Sequence, residues 1–473
     1  MKNYQNYNLK NLYMKDRIIF SIILTLIFCI PFNISEEIVS PLHGIFGEFY
    51  IYLYFYLVIL LFISIIIFKY KIRLRIPKCI KLFMSLNIIS IFISTILNYN
   101  NILLNKFKGR GGIEKFLLQL FVLLFILIAI IVIYSCLAEI SKKNDYAYIM
   151  NNIYKCINYL VWFMIIYCLI QYINMHVIKL PFWDKIESLS RVNGENYFRI
   201  RFVSYEASWF GMNLVLMLSY VLSNIAVNLK KKSSWIQLFF ILFFIFKTNS
   251  RFTLFTALVL ILINIFIICR KLNRKSKGIL IGSFFIAIAI IVAVLMFSDK
   301  IVLKETYIFK TLDSIFNYQG TSYEVSNDAR FGMTDAAIKM GNDNIYGVGL
   351  GQFGFNFNNY FDNKYYTWQT YKWGSEEYSA WPPVHNFYAR VYAELGLLGL
   401  ISWVGIFAIL IIKLIRILSN QRKENNKDII FGLLLMIGSF IIGFNQDSFI
   451  NPIVFISLIF SSYILDYNKI EKV

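Results

Sequence analysis

Long apolar runs separated by short basic connectors recur along almost the whole chain. They predict helices over residues 18–34, 49–68, 82–97, 116–137, 157–177, 209–227, 235–246, 252–269 and 278–297, then over 391–412, 429–444 and 449–465. Most of these runs approach the ~20 apolar residues a helix needs to cross a bilayer. Barrel strands would alternate polar and apolar residues over about ten positions, and these runs do not. The predicted fold class is therefore an all-α polytopic membrane protein of about twelve transmembrane helices. Helices one to nine occupy 1–297, a large extracytoplasmic loop with short helices occupies 298–385, and helices ten to twelve occupy 386–473.

The composition agrees: only 16% of residues are charged, against about 25% in a soluble domain. The net charge of +20 does not point to nucleic acid, because no basic stripe crosses a soluble domain. Lys and Arg instead collect in alternate connectors, such as Lys69 to Lys81, Lys230 to Lys232 and Lys413 to Lys423. The positive-inside rule assigns these connectors, and both termini, to the cytoplasm. The loop at 298–385 then lies outside. The six cysteines fall in spans or near the cytoplasmic side, and they form neither a disulfide framework nor a CxxC metal pattern. The first apolar run lacks a small-residue cleavage site and is expected to be a retained helix.

Several arginines break the charge rule by falling on the outer face: Arg191, Arg199 and Arg201 before the sixth span, Arg251 in the turn at 247–251, and Arg330 in the large loop. Guanidinium is planar, always charged, and matched to phosphate oxygens, so this collection suggests an anionic ligand. A surface Arg can equally be a topology signal or a snorkelling anchor. His385 follows Pro382 and Pro383 at the foot of the tenth span; it could serve as a proton acceptor or simply end the loop. Gly347, Gly349, Gly351 and Gly354 resemble a phosphate-cradling nest but lack the lysine of a phosphate loop, and a turn packing tightly against the membrane surface is expected there. The tyrosines and tryptophans from Tyr360 to Trp381 suit either a membrane-interface belt or a face for sugar rings. No Asp-x-Asp or metal-spaced cluster occurs in the loop.

Three stretches together resemble the O-antigen polymerase and O-antigen ligase superfamily. They are Asn249-Ser250-Arg251; Arg330-Phe331-Gly332 followed by Gly347-Val348-Gly349; and His385-Asn386-Phe387-Tyr388 with Glu394-Leu395-Gly396. Tyr205-Glu206-Ala207-Ser208 resembles the family's Glu-Pro-Ser element, with Ala207 in place of proline, and Phe252 and Thr253 stand where smaller residues are commoner. The resemblance implies a metal-independent glycosyltransferase without cofactors. Its donor would be a glycan on undecaprenyl pyrophosphate at the outer leaflet of the cytoplasmic membrane, and a chain-length regulator and a flippase would be its associates. Arg251, Arg330, Arg201, Arg199 and Arg191 would meet the pyrophosphate. His385 or Glu206 would take the acceptor proton, and Trp381, Asn386 and Tyr388 would meet the glycan. The aromatic-rich loop favours a polymerase over a ligase. A flippase or transporter would be expected to show internal repeats and charges within its spans, and neither stands out.

Overall fold

The computed structural model describes residues 13–33, 53–188, 199–204, 206–248, 250–271, 322–420, 426–449 and 451–470. Each expected span within these residues coincides with a helix; the one at 278–297 lies outside them. The helices are α1 (Met14–Phe28), α2 (Leu53–Ile67), α3 (Lys78–Leu97), α4 (Tyr99–Leu104), α5 (Gly112–Lys143), α6 (Tyr146–His176), α7 (Pro181–Ser188), α8 (Ala207–Val227), α9 (Lys232–Lys247) and α10 (Arg251–Lys271). They continue with α11 (Ser322–Asp343), α12 (Phe353–Asn356), α13 (Trp368–Gly374), α14 (Phe387–Asn420), α15 (Lys427–Ile442) and α16 (Pro452–Ile470). A two-residue hairpin, β1 (Lys106–Phe107) with β2 (Arg110–Gly111), is the only sheet among the described residues. Among the described residues, seven helices are long and apolar enough to span a bilayer, and α2 and most of α16 are shorter apolar helices. The protein is a multi-pass, all-α membrane protein. A helix satisfies its backbone polar groups within its own segment, which lipid cannot do for it.

The bundle is organised around α8. Of its apolar window 94% is buried by the protein, against 33% for α3, so α8 is the internal helix and α3 is largely turned to lipid. Helix α8 packs against α9, α10 and α15, and it meets α10 closely at Gly211. A Cβ there would strike the hydroxyl of Thr253. The family-like stretch after Arg251 carries a bulkier residue than expected, and the space it needs comes from a glycine on the facing helix.

Polar contacts stitch the bundle near one end. Tyr134 donates to Asp466 at 2.6 Å, Tyr154 to Asp428 at 2.6 Å, and Tyr70 to the buried Asp16 at 2.6 Å. These residues flank the basic connectors. At the opposite end sits a cap built from residues 322–385. Its core is Met333, Ala337 and Met340 of α11 with Phe353, Phe357 and Val384, closed by Ala389 and Ala393 of α14.

The cap is seated on a break in α14. Gly396 has φ 69° and ψ −167° within the helix, a backbone region essentially reserved for glycine. The loop of Gly347, Gly349 and Gly351, all at positive φ, docks there backbone to backbone. Val348 N–H donates to Ala393 C=O at 2.9 Å, Gly349 N–H to Glu394 C=O at 3.0 Å, and Leu397 N–H to Ile345 C=O at 2.9 Å. The buried Glu394 accepts from Gly351 N–H at 2.9 Å and from Arg390 Nε at 3.2 Å. Ser90 of α3 donates to the freed carbonyl of Leu395 at 2.6 Å. The glycine motif is thus a tightly packed turn, as expected, but it packs on a broken helix instead of the membrane surface.

Candidate active site

Two clusters of the expected residues form at the capped end. The first surrounds His385. Pro382 and Pro383 bring the chain into α14 with His385 at φ 60°, a left-handed conformation that is uncommon outside glycine. One side of the imidazole meets the Trp373 ring, centroids 5.3 Å apart. Its Nε2 is buried and makes no hydrogen bond. Asp447, on the turn between α15 and α16, is close enough to act on the ring electrostatically, as is Arg330 of α11. Burial holds the imidazole pKa down at about 4; Asp447 pushes it up and Arg330 pushes it down. His385 is therefore neutral near pH 7 and has a free site for a proton.

The turn from 443 to 449 ties this cluster together. Asp447 accepts from Val384 N–H at 2.8 Å through Oδ2, and its carbonyl accepts from Arg390 Nη1 at 2.6 Å. Asn445 accepts from Arg330 Nη1 at 3.1 Å. Arg330 is exposed. An exposed guanidinium beside a neutral imidazole and a carboxylate can meet an anion while a proton is moved nearby.

The second cluster forms where the segment at 199–204 lies along the α9–α10 turn. Ile200 N–H donates to Lys247 C=O at 3.1 Å, and Arg199 Nε to Thr248 C=O at 2.8 Å. Gln171 of α6 accepts from the N–H groups of Arg201 and Phe202 at 3.3 and 3.2 Å. Ser250 caps α10 by accepting from Thr253 N–H at 3.4 Å, which places Arg251 in the first turn; its side chain lies outside the described residues, as does Arg191. Arg201 is only 4% exposed. It lies close to the hydroxyl of Tyr167, which also feels the buried Glu187. That burial suits an anchor for the loop better than a ligand for a bulky diphosphate. Glu206 stands just before α8 and accepts from Ser208 at 2.9 Å. The two clusters share a face: buried Asn451, after the Asp447 turn, donates to Sδ of Met212 in the second turn of α8.

The three residues expected to touch glycan are placed differently. Asn386 accepts from Ala389 N–H at 3.1 Å and so caps α14. Tyr388 is buried, donates to Phe440 C=O at 2.8 Å, and packs on Phe444; in this arrangement it joins α14 to α15. Trp381 is half-buried, with Lys115 Nζ 4.0 Å above its ring and Phe355 beside it. Asp447 and Asn445 were not among the expected site residues. Their one signal in the sequence is a polar turn, Asn445-Gln446-Asp447-Ser448, between two apolar helices.

No curated protein matches the chain. Residues 236–404 match the family model described as O-antigen ligase. The match runs from α9 into α14, so it takes in Arg251, Arg330 and His385 and stops short of Asp447. Proteins of this family are glycosyltransferase-like enzymes acting on lipid-linked glycans in membranes. This matched segment, about a third of the chain, holds all three motifs carrying the sequence resemblance, and over it the chain is similar to the O-antigen ligase family.

Proposed function

We propose that this chain polymerises lipid-linked repeat units, moving a growing glycan from undecaprenyl pyrophosphate onto the sugar of an incoming unit. The reaction is assigned to the outer leaflet of the bacterial cytoplasmic membrane, with a chain-length regulator and a flippase as associates. The observation that carries this reading is the His385 cluster: a neutral imidazole with a buried, unoccupied Nε2, set beside Asp447 and the exposed Arg330.

In the proposed step an acceptor hydroxyl attacks the anomeric carbon of the donor glycan. The new C–O bond forms as the bond from that carbon to the pyrophosphate oxygen breaks, and the hydroxyl proton passes to Nε2 of His385. Negative charge grows on the leaving diphosphate, and preorganised cations aimed at that charge are the usual largest source of rate. Arg330 is assigned to that role, with Arg251 and Arg199 drawn from the second cluster. A diphosphate bound at Arg330 also offsets the positive charge that depresses the imidazole, so the donor's arrival makes His385 a stronger base. Asp447 then stabilises the imidazolium. Glu206 is the alternative base from the second cluster. Leaving-group stabilisation comes from guanidinium groups throughout, so the scheme calls for neither metal nor cofactor.

The ligase reading uses the same residues with a terminal lipid or protein acceptor, and the matched family's description favours it. A strain deleted for this gene separates the two. Single repeats attached to the terminal acceptor indicate a polymerase, whereas long unattached polymer indicates a ligase. Unchanged surface glycan overturns both.

A further inference from the structure

We propose that the rings of Tyr366, Trp368, Tyr371 and Tyr378 form a binding platform for a sugar of the glycan chain, one step outward from the reacting centre. The inference rests on the glycan-transfer reading above and assigns to it a subsite of its own.

Trp368 and Tyr371 lie near-parallel at 5.4 Å, Tyr378 meets both edge-on at 5.7 and 6.0 Å, and Tyr366 meets Tyr371 at 6.4 Å. Trp368 is 57% exposed and Tyr366 61%. Large rings left open on a folded surface call for a reason, and membrane contact is the obvious one. The surroundings argue against it. Lys372 reaches over the rings of Trp368 and Tyr378, and Tyr371 donates to Glu377 at 3.3 Å. Glu376 and Glu377 are exposed beside them. On the adjoining surface Lys339 pairs with Asp335 at 2.8 Å and Lys364 with Asp362 at 3.1 Å. Hydrocarbon would have to strip water from these charges, which is strongly unfavourable. A pyranose ring needs no such sacrifice. Its polarised C–H face meets the negative face of an aromatic ring, and its hydroxyls find carboxylates and an ammonium at the rim.

The platform is rigid. Thr367 and Thr370 cap α13 reciprocally, with N–H to hydroxyl distances of 2.7 and 3.2 Å, so the rings need little ordering when a ligand arrives. Its position links it to chemistry. Trp373, on the last turn of the same helix, touches the His385 ring, and Trp368 lies five residues earlier, about 7.5 Å along the axis. Five residues also turn about 140° around the axis, so the platform occupies the outward side of the helix whose inner side contacts the proposed base.

The test uses the full chain in nanodiscs. Oligosaccharide released by mild acid from the host's surface polysaccharide is titrated calorimetrically, and glycan transfer is assayed in parallel. Trp368→Ala, at an exposed position that folding tolerates, is expected to weaken oligosaccharide binding about tenfold and to raise KM with little change in kcat. That is the order expected when one aromatic face is lost. Trp368→Phe should restore most of it, and Tyr366→Ala should weaken binding less. Unchanged binding and KM in Trp368→Ala overturns the platform while leaving glycan transfer standing. Wild-type binding without any transfer overturns the transfer reading but keeps the platform. Reduced retention of Trp368→Ala in bilayers, with glycan binding intact, assigns the rings to lipid and overturns the proposal.

Discussion

Replacing Gly396 with alanine should detach the cap from the bundle, and the size of the effect follows from the contacts at the break in α14. At φ 69° and ψ −167° a residue with a Cβ carries about 1–3 kcal/mol of strain. The added Cβ would also strike the carbonyl of Ile345 and stand 2.5 Å from Tyr346 C and 2.7 Å from Gly347 N. These are backbone atoms, which cannot rotate away. Relief requires the 345–351 loop to lift. That movement breaks the three backbone hydrogen bonds to Ala393, Glu394 and Leu397, each worth about 1 kcal/mol net. It also breaks the bond from Gly351 to the Glu394 carboxylate, worth about 1.5–3 kcal/mol. Either route costs several kcal/mol locally, while the spans keep their own packing. The expected phenotype is loss of long polymer on gels of surface glycan with normal protein in the membrane fraction, together with new protease cleavage near residues 344–352 in spheroplasts. Gly405→Ala is the control: it sits in the same helix, a Cβ there meets nothing within 4 Å, and it should be silent. Wild-type polymer and an unchanged cleavage pattern in Gly396→Ala would refute the docking argument.

Arg330→Ala should lower glycan transfer by about 10²–10³-fold, and Arg330→Lys should recover only part of it because the fork is lost; full-length polymer from the alanine variant would remove Arg330 from the site. Gly211→Ala should destabilise the α8–α10 contact by about 1–3 kcal/mol through overpacking, and adding Thr253→Ala should restore the detergent unfolding midpoint; failure of that rescue rejects the contact. For His385 the folded pKa is about 4, below the ordinary 6.5, so the unfolded chain binds the proton more readily between those values. Stability is thus fully present above pH 6.5 and is lost as pH falls toward 4, by about 2 kcal/mol at pH 5. Melts of wild type and His385→Asn at pH 7.5 and 5 check this, and parallel losses in both would contradict it.

What the sequence determined alone is the all-α membrane class and the places where its apolar helices fall. Whether a segment can cross a bilayer depends on its length and apolarity, both local properties, so the expected helices from 82–97 to 449–465 coincide with helices wherever the structure describes them. The prolines before His385, the glycine turn and the arginines outside the basic connectors were legible for the same reason: each is a short-range chemical signature. Only the tertiary structure decided which of them meet. It drew Asp447 and Asn445, from a turn with no motif of its own, to His385 and Arg330. It put Arg201 into a buried setting and turned Tyr388 to packing. It also laid Arg199 and Arg201 along the α9–α10 turn and tied Arg330 to the turn after α15. None of this was available beforehand, because contacts between residues tens to hundreds of positions apart depend on how helices rotate and pack. Here that packing turns on backbone-level fits, Gly396 against the 345–347 loop and Gly211 against Thr253, which hydropathy does not encode.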